Sequence, residues 1–266
     1  MNVFLFELRQ QMRQILLQTV VLSGLLMLFI LGMYPIYLSA QDQVQTMLSG
    51  FPPQFATMFG MDVTNIFSYG GFYSFGNLYL VLVGAIMAAS LGFAVFAREK
   101  RSRCADFLLT KPLGRTRTFC AKLLACIVGL LVVNLVFVAV SIALYEGTGE
   151  DSLAVSTVVL VALGMAGTQL VFLSLSVLLS VFMRRVRSAS GPATMLGFMG
   201  FVMTALVNLT GEQTLRYFSP SQYFDPSTVF SGGSYDGGYV MCALAVIVAC
   251  LAISFVRYRA FDVPTR

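Results

Sequence analysis

Six apolar stretches, each long enough to cross a lipid bilayer as a helix, dictate what this 266-residue chain can become. A helical span needs about 20 residues. The spans read as Ile15 to Leu38, Asn77 to Ala97, Phe119 to Tyr145, Leu153 to Met183, Ser190 to Leu209 and Tyr239 to Val256. In lipid every backbone polar group must bond within its own segment, so each span is predicted to be helical. Composition agrees, with 58% hydrophobic and only 11% charged residues. Soluble domains carry about 25% charged residues, enough to cover a water-facing surface. A soluble enzyme and a disordered chain are both excluded. No polar segment is large enough for a second, soluble domain. The expected fold is all-α, one polytopic membrane domain over residues 1–266.

Charge sets the predicted orientation. Arg9 and Arg13 precede span 1. Arg98, Lys100, Arg101, Arg103, Lys111, Arg115, Arg117 and Lys122 lie around the connection between spans 2 and 3. Arg184, Arg185 and Arg187 follow span 4, and Arg257, Arg259 and Arg266 follow span 6. With both termini in the cytoplasm, 16 of the 17 cations fall inside and only Arg216 falls outside. This is the positive-inside bias. It accounts for the net charge of +5 through topology and anionic inner lipid, without nucleic acid. The N-terminus does not read as a cleavable signal, because its apolar run is too long and no small-residue cleavage site follows.

Before span 1, Leu5, Leu8, Met12 and Ile15 recur at helical spacing, with Glu7, Gln10, Gln11 and Gln14 on the other side. This predicts an amphipathic helix on the inner membrane surface, the other reading being an early start to span 1. Two external connections are aromatic. The first carries Phe51, Phe55, Phe59, Phe67, Tyr69, Phe72, Tyr73 and Phe75, with Pro52, Pro53, Gly60, Gly70 and Gly71 as helix breakers. The second carries Tyr217, Phe218, Tyr223, Phe224, Phe230 and Tyr235. Short helices or re-entrant turns at the outer interface are expected, serving as anchors or as a lid.

Chemistry on the chain itself is sparse. There is no histidine, and the spacing of Cys104, Cys120, Cys126, Cys242 and Cys250 matches no zinc or redox motif. The cysteines read as small buried hydrophobes. The span centres hold no ionisable residue, only Gln18, Asn134, Gln169, Asn208 and scattered hydroxyls. Proton-driven carriers need such groups. A phosphate-binding G-x-x-x-x-G-K-[ST] loop is absent as well. Sodium can still be bound by carbonyls and hydroxyls alone; otherwise a pump built on this chain must draw on ATP hydrolysed by another polypeptide.

A partner needs a cytoplasmic handle, and the connection after span 2 offers one. Cys104, Phe107 and Leu108 make an i, i+3, i+4 apolar edge, while Glu99, Ser102, Arg103 and Asp106 fill the polar side. Glu99 and Arg103 are four apart in the favourable order, and Pro112 stops the helix near Lys111. Such a helix can seat its edge in a partner's groove or lie basic-side down on lipid.

These residues resemble the type-2 ABC transporter permeases. That family carries a pattern like Glu-x-x-x-Gly-Thr-x-(Glu/Asp)-Leu-Leu-Leu-(Ser/Thr)-(Lys/Arg)-Pro after its second span. Here Glu99 and Asp106 fall on the two acids, and Phe107, Leu108, Leu109, Thr110, Lys111 and Pro112 follow in register. Arg103 and Cys104 stand at the Gly and Thr positions. Leu113-Gly114-Arg115 and Ala121-Lys122-Leu123 continue the likeness. The run from Phe218 to Pro226 and the tail from Arg257 to Val263 are similar to further family segments. The resemblance implies a half-transporter of an exporter in a bacterial inner membrane. Two permease chains, identical or different, would pair, and each would dock a cytoplasmic ATPase through the helix after span 2. Glu99, Arg103, Cys104, Asp106, Phe107, Leu108, Lys111 and Pro112 would make that contact. ATP and Mg would be bound by the partner, and no cofactor by this chain. The cargo is not named by family membership.

Two further patterns bear on interfaces. Gly84, Ala88 and Gly92 recur every fourth residue in span 2, a spacing that lets helices approach closely within one chain or across a dimer seam. Met195, Met199 and Met203 do the same in span 5, which suits lipid contact, packing or an adaptable path for apolar cargo. Gln169, Ser176 and Ser180 share one face of span 4, a pattern that interhelical hydrogen bonding would explain. Read without the resemblance, the chain also fits a stand-alone channel or carrier, or a membrane scaffold or sensor.

Overall fold

The computed structural model describes residues 3–50, 52, 58, 60, 65–98, 114–149, 153–183 and 188–260. The described residues hold six helices long and apolar enough to cross a membrane, and no strand. The first runs as α1 (Val3–Met27), a π-helical turn (Leu28–Met33) and α2 (Tyr34–Ser39), followed by the short α3 (Gln41–Ser49). The next are α4 (Tyr69–Phe96), α5 (Arg115–Thr148), α6 (Val155–Phe182) and α7 (Ser190–Thr210). Short α8 (Gln213–Arg216), a 3-10 turn (Pro220–Gln222) and α9 (Pro226–Gly232) lead into α10 (Gly237–Ala260).

Side-chain contacts show that the six alternate in direction. Gln14 of α1 meets Ser90 of α4, and Gln18 meets Met87, so these two run antiparallel. Gly129 of α5 lies against Ile15 of α1. Arg115 of α5 donates to the Arg259 carbonyl of α10, and Arg257 stacks over Phe182 of α6. One end of the bundle thus gathers Arg98, Arg115 and Arg257, the basic end. The other gathers Tyr34, Tyr69, Tyr73 and Tyr145, the aromatic end.

Helix α4 begins at Tyr69, eight residues before the expected span, and takes Gly70 and Gly71 into its first turn. The Ser68 hydroxyl accepts from the Gly71 N–H at 3.1 Å and caps it. Phe72 and Tyr73, expected in a loop, are consequently buried in the bundle. The π-helical turn has its cause in Pro35, which has no N–H to give the Leu31 carbonyl. The ladder ahead of it widens, and the Tyr34 N–H bonds the Phe29 carbonyl five residues back.

The centre of the bundle is the α4–α6 pair. More than half of the apolar window of each is buried, 56% and 61%, against 22% for α10 at the periphery. Lipid tails are as apolar as leucine, so burial itself drives little association here; close contact and hydrogen bonds must do it. The small-residue face of α4 supplies the contact. A Cβ on Gly84 would stand 2.8 Å from the Met165 sulfur, and one on Gly92 would stand 2.0 Å from the Ser176 hydroxyl. Ala88 is fully buried. Gly84, Ala88 and Gly92 are therefore spent on packing inside the chain.

Gly92→Leu should force α4 and α6 apart, at about 1–3 kcal/mol by the usual scale of overpacking. Gly24→Leu should leave stability unchanged, because nothing lies within 4 Å of a Cβ there. Thermal unfolding of the two detergent-purified variants measures the difference.

Candidate functional site

The first helix carries polar residues on its buried face. Glu7, Gln11 and Gln18 fall on the buried face of α1 together with Ile15, Leu22 and Leu26. Leu5, Met12, Leu16 and Leu17 point outward. This departs from the expected arrangement, although Ile15 of the expected apolar side is buried too and Gln10 of the polar side is exposed. The stretch before span 1 is no separate surface helix but the start of one continuous rod, and it turns its polar side into the protein. The physical reason is the medium. Glutamines spaced three and four apart, running on into an apolar span, are satisfied only by other protein groups.

The partners sit on α4. Arg98 Nη1 donates to Glu7 Oε2 at 2.7 Å and also to Gln10 Oε1. One turn deeper, Gln14 Nε2 donates to Ser90 Oγ at 2.9 Å. Deeper still, Gln18 Nε2 donates to the Met87 carbonyl at 2.8 Å. From α5, Lys122 reaches in beside them. Its side chain is 2% exposed, its Nζ donates to the Val95 carbonyl at 3.3 Å and it faces the Phe96 ring at 6.0 Å. Glu7 pairs with Arg98 at the basic end, Lys122 is anchored on the Val95 carbonyl, and Gln11 is buried with neither side-chain amide atom hydrogen-bonded among the described residues. Arg98 is the last described residue before 99–113, and Lys122 stands two turns into the helix that follows. Arg98 and Lys122 are thereby each held on one side of that connection.

Further along the bundle, Asn134 of α5 donates through Nδ2 to Gln169 Oε1 of α6 at 2.8 Å and to the Leu130 carbonyl. Gln169 lies against Gly84, which has no side chain to displace it. The shared polar face of span 4 divides here. Gln169 bonds between helices, whereas Ser176 donates to the Leu173 carbonyl of its own turn. No group of three or more acidic, cysteine or histidine ligands occurs among the described residues.

At the aromatic end, the segment between α7 and α10 folds back on the bundle. Arg216 organises it by pairing with Asp225 at 3.3 Å, donating to the Gln222 carbonyl and stacking 4.5 Å over Tyr239. Ser219 meets Thr204 of α7 at 3.1 Å, and Gln222 donates to Asn208. The Tyr235 hydroxyl donates to the Leu160 carbonyl of α6 at 3.2 Å. Burial, with Asp225 adding a smaller push, raises the Tyr235 phenol above its ordinary pKa, so it stays a donor. The short helices expected from aromatic content are α8 and α9, and Phe230 of α9 packs edge-on against Tyr73.

Glu99, Arg103, Cys104, Asp106, Phe107, Leu108, Lys111 and Pro112, the expected partner contact, lie outside the described residues. Met195, Met199 and Met203 form a stripe on α7 that is 70%, 56% and 40% exposed, joined by Phe198 and Val202. Among the cysteines, Cys126 and Cys250 are buried, Cys242 is half-buried and Cys120 is exposed, so the last is no core residue. The sequence reading missed the Glu7–Arg98 pair and the burial of Gln11 and Lys122. The available signal was the continuity of the Glu7, Gln11, Gln14, Gln18 spacing into the span.

No curated protein matches the chain. A family model described as ABC-2 family transporter protein matches residues 1–263, nearly its full length. Six membrane-crossing helices without a phosphate-binding loop are what the membrane part of such a transporter requires. The chain belongs to the ABC-2 transporter family and is a membrane permease subunit of an ABC transporter, a type of chain that works with a separate ABC ATPase.

Proposed function

We propose that this chain is the permease half of an ATP-driven exporter, paired with a second permease and coupled to cytoplasmic ATPase subunits through residues 99–113. The observation that carries the reading is the family match over 1–263, and the charge distribution supports its details. With 16 of 17 cations on the predicted inner side, the basic end faces the cytoplasm, and both termini with it. A bacterial inner membrane is the matching location. Glu99 and Asp106 give the connection a polar side, and Phe107 and Leu108 an apolar edge, for a groove on the ATPase. ATP and Mg bind on that partner, and this chain binds no cofactor.

The second permease, identical or related, meets the α7 stripe of Met195, Met199 and Met203. Unbranched thioethers re-pack easily, so the same stripe can form a seam in one state and a wall of the path in another.

Lys substitution at both Glu99 and Asp106 should cut co-purification of the ATPase with the tagged chain at least tenfold, the usual scale for reversing charges at a docking site. Undiminished capture by the double variant would exclude docking through this connection. Flux of cargo in vesicles that hold the chain alone, without nucleotide, would overturn the ATP-driven reading altogether.

Disulfide cross-linking tests the seam. In a cysteine-free background, Met199→Cys should cross-link to a second permease in membranes. Leu135→Cys, on the exposed face of α5, should not. Equal yields at the two positions would remove α7 from the interface.

A further inference from the structure

We propose that the Glu7–Arg98 clamp makes the first helix the element that carries ATPase-driven movement from the connection 99–113 across the membrane. Glu7 is then a positioning residue for transport. The inference rests on the permease reading above and deepens it.

The geometry has three parts. First, the connection is tied at both roots. Arg98, just before it, pairs with Glu7 at 2.7 Å, and Lys122, two turns into the helix after it, is buried and donates to the Val95 carbonyl of α4. Glu7 is nearly enclosed, its side chain 7% exposed against 22% for Arg98, so losing Arg98 would leave a buried, unpaired carboxylate. Displacing Arg98 therefore displaces Glu7 with it. Second, α1 is a single helix of 25 residues, roughly 37 Å long at 1.5 Å per residue. Gln14–Ser90 and Gln18–Met87 hold it on α4 by hydrogen bonds through side chains, which can re-form after a small shift. Third, the rod ends in the π-helical turn, where the backbone ladder is already widened. Phe29 in that turn lies on bare Gly76, where a Cβ would come within 2.5 Å of its ring, and stacks 5.2 Å from Phe72. Tyr34, just beyond, stacks 5.1 Å from Phe72 and edge-on to Tyr69. Movement delivered at Glu7 reaches the aromatic end at the one place in the first span where its helix is already loosened.

The test uses the full chain with its ATPase in proteoliposomes and needs no cargo. A nitroxide is placed at Ile36→Cys, exposed and just beyond the turn, in a background lacking the native cysteines. Its mobility and its access to a water-soluble relaxing agent are compared between the nucleotide-free and the ATP–vanadate-trapped states. The parent chain should show a nucleotide-dependent change. In Glu7→Gln that change should fall about three- to tenfold, the range expected when one coupling element is cut. Its nucleotide-free spectrum and the amount of ATPase bound should stay as in the parent. The exchanged pair, Glu7→Arg with Arg98→Glu, should restore the change, and it serves as the deciding variant should Glu7→Gln fail to insert. A full parental response in Glu7→Gln, or no recovery in the exchanged pair, would overturn the clamp while leaving the permease reading intact. A parent chain that binds no ATPase or shows no nucleotide response would sink the permease reading itself, and the clamp with it.

Discussion

A carboxylate and two cations cannot leave water separately at the edge of a membrane; they must leave it as a satisfied group. Glu7 and Arg98 pair at the basic end, with Gln10 as a second acceptor for Arg98, and Lys122 donates to the Val95 carbonyl. The rest of the first helix follows from that anchor. Once Glu7 faces α4, helical periodicity carries Gln11, Gln14 and Gln18 to the same side, where Gln11 is buried without a hydrogen-bond partner for its side-chain amide among the described residues. Ser90 and the Met87 carbonyl are there to receive two of them. The stripe fixes the rotation of the whole rod: Ile15, on the same face, is buried with it, and Leu5, Met12, Leu16 and Leu17 are left exposed.

That division of labour explains why α4 is central. One of its faces meets the polar stripe of α1, and another, built from Gly84, Ala88 and Gly92, meets α6 at backbone distance. A helix with both a hydrogen-bonding face and a face without side chains can be enclosed on two sides without large apolar residues forcing its neighbours away. Gln169 uses the room above Gly84 to reach Asn134, which joins α5 to α6 in the same layer. Helices α7 and α10 hold on with one side each, and their outer sides remain large and apolar, as Met195, Met199, Met241 and Val248 show.

The six spans and their alternation were legible in the sequence because lipid imposes length and apolarity on every helix that crosses it. The start of α4 was not. Gly70 and Gly71 read as breakers, yet a cap from Ser68 and burial of Phe72 and Tyr73 outweigh two glycines. The polar stripe was visible as residues and misread as to side. Amphipathic periodicity tells that two faces differ; it does not tell which one meets water, lipid or protein. At the N-terminal stretch the familiar rule, apolar side to the membrane and polar side to water, gave way because α4 and α5 cover the polar side. The Arg216 group was legible only as a lone cation outside. Its partners Asp225 and Gln222 are brought to it by turns at Pro220 and Pro226 that periodicity does not describe.

Rigidity and looseness are distributed along the first span in a way that chain chemistry alone fixes. From Val3 to Met27 the helix is regular and pinned by side-chain hydrogen bonds. At Leu28–Met33 the missing N–H of Pro35 loosens the ladder, and the stiffest contacts there are aromatic rings packed on Gly76, Phe72 and Tyr69. Ring stacks tolerate tilting better than directional hydrogen bonds do, since their attraction spreads over many atom pairs and varies slowly with angle. The same sequence that holds α1 by side-chain bonds toward the basic end places the π-helical turn where the tyrosines of α2, α4 and α5 meet.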